Sequence, residues 1–140
     1  MSADLTGPRR ILVVDDDERE RQETARILGA AGYAVDTAAT KADVVTLLTR
    51  HGYDLVLADL QMPDLNGPAF YELLKESCRI APPVIFRIER GYTPQYANFL
   101  MQLAAPVLMK PAPAADLCLA VERQLPPSPA APQAASSLAS

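Results

Sequence analysis

Three short apolar runs, each closing on charge, limit what this chain can fold into. Ile11-Leu12-Val13-Val14 runs into Asp15-Asp16-Asp17, Leu55-Val56-Leu57-Ala58 into Asp59, and Val107-Leu108-Met109 into Lys110. Each run is too short and too continuous for an amphipathic helix, and reads instead as a strand buried on both faces. Pro82-Pro83 introduces a further run, Val84-Ile85-Phe86, and residues 33–38 supply one more strand. Between these strands the period changes to that of helices. Strict alternation of the two implies a parallel sheet with right-handed crossovers and helices on both faces. The expected fold class is therefore α/β, with five strands and five helices.

The helical segments carry their own start and stop signals. From Glu18 onward, Thr24, Ile27, Leu28 and Ala31 fall on one side, and the pattern breaks at Gly32. Thr40-Lys41-Ala42-Asp43 reads as a capping box ahead of Val44, Val45, Leu47 and Leu48, and His51-Gly52 closes that helix. Gly67-Pro68 opens a third, with Phe70, Leu73 and Leu74 inward. Residues 93–103, with Pro94 at the first position, turn Tyr96, Phe99, Leu100 and Leu103 to the core, and residues 114–125 do so with Leu117, Val121 and Leu125. Two charged features have bland readings. Glu18-Arg19-Glu20-Arg21 mixes signs on the first turns of a helix, the pattern of a solvated face. The single histidine, His51, lies at a helix end away from the strand ends, where a cation complements the helix dipole.

The charged strand ends carry the chemistry. An isolated Asp before a turn is most often a capping residue, and Asp59, followed by Leu60-Gln61-Met62-Pro63-Asp64-Leu65-Asn66-Gly67, would earn no more attention alone. Open α/β sheets, however, bind ligands outside the carboxyl ends of their strands, and here three such ends are charged. Consecutive carboxylates at 15–17 repel one another unless a cation sits among them, which suggests a hard divalent ion, Mg²⁺ being the natural candidate. With Lys110 at the same edge, the chain has the parts to hold a phosphoryl group between a metal and an ammonium.

Three motifs in this order, Val-Val-Asp-Asp-Asp, Asp-Leu-Gln-Met-Pro-Asp-Leu-Asn-Gly and Met-Lys-Pro, resemble those of the receiver domains of two-component response regulators, over about residues 9–125. The resemblance implies a flavodoxin-like, doubly wound five-stranded sheet in the order 2-1-3-4-5. It implies Asp59 as phospho-acceptor and Asp15 and Asp16 as holders of Mg²⁺, with Asp16 the direct ligand. The backbone carbonyl of Gln61 and Asp59 itself complete the metal site, Lys110 pairs with phosphoryl oxygens, and the bond to Pro111 is often cis in the family. It also implies a domain that catalyses only its own phosphorylation and dephosphorylation. A sensor histidine kinase or phosphotransfer protein would be the donor, an unidentified protein would read the state, and a dimer is possible.

The fourth strand departs from the family. Receivers usually carry a Ser or Thr at its end, and counting back from Lys110 puts Ile88 there; the aromatic of the fifth strand corresponds to Val107, and Ala112 stands where an aromatic often follows Lys-Pro. Both halves of the usual switch are missing, while Arg87, Glu89 and Arg90 bring charge to a loop that is often neutral. The expectation is a receiver whose signal is conducted otherwise, with Arg87 or Arg90 reaching the phosphoryl group from the loop and the changes concentrated at residues 87–93. A phosphate sink or relay, and an interaction-only receiver without phosphorylation, are the alternatives within the family. Outside it, Asp15 and Asp17 match the acid spacing of haloacid-dehalogenase-type phosphatases, although Glu18 replaces the residue expected next and no cap domain is legible.

Composition bounds the rest. A chain of 140 residues, 49% hydrophobic, can bury one core and has room for no second. Its net charge of −4 gives no reason to expect nucleic acid. Residues 92–109 contain no charged residue at all, but their prolines and amides make the stretch a poor membrane span. Cys78 and Cys118 fit no metal spacing and read as reduced thiols. Residues 1–8 read as a flexible start without a signal peptide, which places the protein in the cytoplasm, and the Pro/Ala/Ser-rich residues 126–140 read as disordered. No output domain is legible, so the chain reads as a receiver alone, whether free-standing or part of a longer protein.

Overall fold

The computed structural model describes residues 7–89, 95–103 and 106–125. Arg90, Pro94, most of the expected N-terminal segment and the expected tail at 126–140 lie outside the described residues. Among the described residues ten main elements alternate, with a two-residue antiparallel pair (Gln61–Met62 and Leu65–Asn66) between β3 and α3: β1 (Arg10–Val14), α1 (Glu18–Ala30), β2 (Ala34–Ala38), α2 (Lys41–Arg50), β3 (Leu55–Asp59), α3 (Gly67–Ser77), β4 (Val84–Ile88), α4 (Gln95–Leu103), β5 (Val107–Met109) and α5 (Ala114–Gln124). The strands form one parallel sheet in the order β2-β1-β3-β4-β5, the flavodoxin-like arrangement expected from the sequence.

Strand parity divides the core in two. Leu12, Val14, Val56, Ala58, Val84, Phe86 and Ile88 meet Val44 and Leu48 of α2, Phe70 and Leu74 of α3 and Leu100 of α4. Ile11, Val13, Leu55, Leu57 and Ile85 meet Leu28 of α1 and Leu117 and Val121 of α5. Successive strand residues point to opposite faces, so a strand covered on both sides must be apolar throughout, which is why β1, β3 and β4 read as continuous runs. Phe86 joins three elements, with its ring edge-on to Phe70 at 6.5 Å and to Phe99 at 5.5 Å.

Local signals fix the helix ends. Asp17 caps α1 by accepting from the Glu20 amide, Thr40 caps α2 by accepting from Asp43, and Asn66 caps α3 by accepting from Ala69. The capping box at α2 closes one residue early, because Asp43 accepts from the Ala39 amide (3.4 Å) instead of that of Thr40. Gly32, at φ 104°, follows α1 in a conformation only glycine adopts freely. Ala31 is exposed at the cap and not part of the apolar face, which narrows to Thr24 and Leu28 with Ile27 half-buried.

The opposite edge of the sheet is stitched by charge. Arg10, the first residue of β1, pairs with Asp36 at 3.1 Å, and its amide donates to Asp54 at 2.8 Å. Tyr53 donates to the same Asp36 at 2.7 Å, and burial together with that carboxylate raises its phenol's pKa well above the usual value. His51 stands exposed beyond α2, edge-on to Tyr53 at 6.2 Å, in agreement with its bland reading.

Candidate functional site

The three rows of strand residues that face α1 and α5, on β1, β3 and β4, end in charge. Continuing Ile11 and Val13 by two residues gives Asp15, continuing Leu55 and Leu57 gives Asp59, and continuing Ile85 gives Arg87. Asp59 and Arg87 are register partners across β3 and β4. Lys110 lies just past β5, its amide held by the Ile88 carbonyl at 2.7 Å, and the peptide to Pro111 is cis.

Asp15, Asp59 and Lys110 meet. The Lys110 ammonium is 2.7 Å from Asp15 Oδ2 and 3.3 Å from Asp59 Oδ2. All three side chains are buried, with relative exposures of 3%, 8% and 8%. Burial alone would lower the Lys110 pKa, but the hydrogen bond and charge of Asp15 and the charge of Asp59 raise it, so the ammonium stays protonated. The second Asp15 oxygen accepts from the Asp17 amide at 3.0 Å, and the second Asp59 oxygen from the Gln61 amide at 3.0 Å. Both acids are thereby fixed by backbone donors on one side and by one cation on the other.

Asp16 is the open member of the group. One carboxylate oxygen each from Asp15, Asp16 and Asp59 lies within 4.8 Å of the other two, with Asp16 exposed. Partial burial, then the charges of Asp59 and Asp15, raise its pKa, the signature of acids that repel. Such a set suits a hard cation that takes one or two carboxylates and keeps its remaining places for water. Asp17, by contrast, does not join the cluster. Its carboxylate caps α1, so the three consecutive acids divide into two that face the site and one that serves the helix.

The loop after Asp59 is tightly held. Gln61–Met62 pairs antiparallel with Leu65–Asn66, the Gly67 amide donates to the Leu60 carbonyl at 2.8 Å, and Asp64 accepts from the Lys41 amide at 3.1 Å. A Cβ at Gly67 would run into the buried Leu60 side chain, which would have to shift to admit any other residue where α3 starts.

At the two atypical positions the structure shows different fates. Ile88 is buried (6% exposed) among the α2–α4 core residues, and Val107 is 39% exposed on the edge strand. Arg87 corrects an expectation: it belongs to β4 and not to the following loop, it is 5% exposed, and it donates to Thr24 Oγ1 on α1 at 3.2 Å. Glu18-Arg19-Glu20-Arg21 is also more than a solvated face, since Arg21 donates to the Asp15 carbonyl at 2.9 Å and braces the acidic turn. The signal that could have found Arg87 was parity, a charged residue inside a run that is otherwise apolar on both faces. Arg21 had none, because a long side chain folding back one turn leaves no trace in the pattern.

Comparison with known proteins agrees with this geometry. The family model described as response regulator receiver domain matches residues 11–122. Response regulator Rre1 of Synechocystis sp. is 33% identical over 91 residues, covering 64% of this chain and 39% of that protein. Sensor kinase CckA of Brucella abortus is 31% identical over 93 residues, covering 65% of this chain and 10% of that protein. The chain thus spans well under half the length of either relative. Among solved structures, a response regulator receiver domain protein from Clostridium thermocellum superposes with a TM-score of 0.72 at 28% identity, over 83% of this chain and 93% of that one.

Proposed function

The chain belongs to the response regulator receiver domain family, and from that premise we propose that Asp59 is the residue on which it accepts a phosphoryl group, with the phosphohistidine of a sensor kinase or phosphotransfer protein as donor. The observation that carries the assignment is the shared Lys110 ammonium, 2.7 Å from Asp15 and 3.3 Å from Asp59 in a site that is buried except at Asp16. Asp15 and Asp16, with Asp59 and the Gln61 carbonyl, would hold Mg²⁺. When bound, the ion neutralises charge on the phosphoryl oxygens and on the acids.

The residues of the chain do the rest. The Asp59 carboxylate is the nucleophile; one of its oxygens bonds to phosphorus as the P–N bond to the donor imidazole breaks and the electron pair leaves with that nitrogen. The Gln61 amide orients the carboxylate. Lys110, anchored by Asp15, exchanges its contact with Asp59 for one with a phosphoryl oxygen, so a cation is present before and after transfer. The buried walls limit access of water to the acyl phosphate. Proteins of this kind change their own covalent state and turn over no separate substrate. Among the described residues no helix is long and apolar enough to cross a membrane.

Intact-protein mass after treatment with a small phosphodonor and Mg²⁺ tests the assignment. A gain of one phosphoryl group is expected in the wild type and none in Asp59→Asn. A gain that persists in the variant would place the phosphoryl group elsewhere.

A further inference from the structure

Among the described residues, Arg87 is a buried charged group at this edge that the family's chemistry does not call for. It is almost fully buried, and its described side-chain partner is a neutral hydroxyl, that of Thr24. Its Nε donor is buried with no acceptor at all. A buried guanidinium ordinarily finds a carboxylate or several oxygen acceptors, since an unmet donor in a low-dielectric interior is costly. Here the acids are near but otherwise engaged. Asp59 is the register partner of Arg87 across the sheet, yet its two oxygens are held by Gln61 and Lys110. Burial lowers the Arg87 pKa, and Glu20, Asp15 and Asp59 act against that shift. The guanidinium is therefore held charged by acids it does not bond, with one donor in reserve.

Phosphorylation changes the balance at this position. A phosphoryl group brings close to two negative charges and three strong acceptor oxygens where the carboxylate had one charge. Resting on the assignment of Asp59 above, we propose that Arg87 is a positioning residue of the phosphorylation site: seated on Thr24 of α1 and level with Asp59 in the sheet, it is the fixed counter-charge that stabilises the phosphoryl group from the α1 side. Ile88, where a hydroxyl would usually serve, points to the opposite core and can offer nothing. The replacement comes from the neighbouring residue and the other face of the strand. Its coupling then runs through Thr24 to α1, not through the loop after β4.

A fixed cation acts with opposite sign on a bound cation and on a bound anion, and that separates this role from a merely structural one. We expect Arg87→Met to bind Mg²⁺ a few-fold more tightly in the unphosphorylated state, because one repulsive charge is gone. The same variant should bind the phosphoryl mimic beryllofluoride, with Mg²⁺ saturating, roughly tenfold more weakly. Arg87→Lys should restore most of both effects, and Thr24→Val should weaken beryllofluoride binding while leaving the Mg²⁺ affinity near that of the wild type. In the wild type, the side-chain Nε–H resonance of Arg87 and the amides of residues 20–24 should shift on beryllofluoride addition. Equal affinities in wild type and Arg87→Met, or loss of Mg²⁺ and beryllofluoride binding together, would overturn the proposal. Failure of the wild type itself to gain a phosphoryl group on Asp59 would instead remove the assignment on which it rests.

Discussion

Asp16 and its neighbouring acids hold like charges at short range, and the cost shows in the acid with the most freedom. Its pKa is raised by burial and by Asp59 and Asp15, so the charged form is less favourable folded than unfolded. The penalty is present at neutral pH, shrinks as pH falls through the raised folded value, and is gone below the ordinary carboxylate pKa. Asp16→Asn should therefore raise the melting temperature at pH 7 in chelator, with a gain that disappears near pH 3. Added Mg²⁺ should raise the wild-type melting temperature and do so less in the variant. Thermal melts at the two pH values, with and without Mg²⁺, check both signs. At this scale the sequence was legible where a charged residue ended a run, as at Asp15, Asp59 and Lys110. It was illegible where geometry decided which of several like residues would serve: nothing in Asp15-Asp16-Asp17 says that the third faces away.

The helix that follows those acids shows why. α1 needs a cap, and Asp17, one residue before Glu18, accepts from the Glu20 amide. Asp17→Ala should cost about 1 kcal/mol of stability, the usual loss for a removed cap, while leaving Mg²⁺ affinity near its wild-type value. Denaturant melts of Asp16→Asn and Asp17→Ala side by side should thus move in opposite directions, although the two acids are adjacent in the chain. Elements as a whole were well foreseen, because apolar runs and helical spacing report burial directly. Their ends shifted where competing donors intervened: β1 begins at Arg10 because its amide finds Asp54, and the box at α2 closes on Ala39. β4 extends through Arg87 and Ile88, two residues beyond its apolar run, where the Leu60 amide donates to the Arg87 carbonyl at 2.9 Å and the Lys110 amide to the Ile88 carbonyl at 2.7 Å. That extension turned an expected loop arginine into a buried one.

Across the molecule the sheet separates two apolar layers, and Phe86 sits where β4 meets α3 and α4. Phe86→Ala should cost roughly 3–5 kcal/mol, a large share of the stability of a domain this size. Denaturant titration should show it as a lower midpoint. The parallel sheet and its two-layer division followed from alternation, since parallel strands joined by right-handed crossovers leave few arrangements, while the strand order came from the family resemblance. Yet the site belongs to no single layer or segment. Its acids come from the ends of β1 and β3 and its lysine from beyond β5, positions 15, 59 and 110 of the chain. During synthesis, then, Asp59, the proposed acceptor, leaves the ribosome well before the lysine that completes its site. On the proposed assignment, a growing chain should stay deaf to any phosphodonor until the last strand has docked, so that only a finished sheet can be told anything.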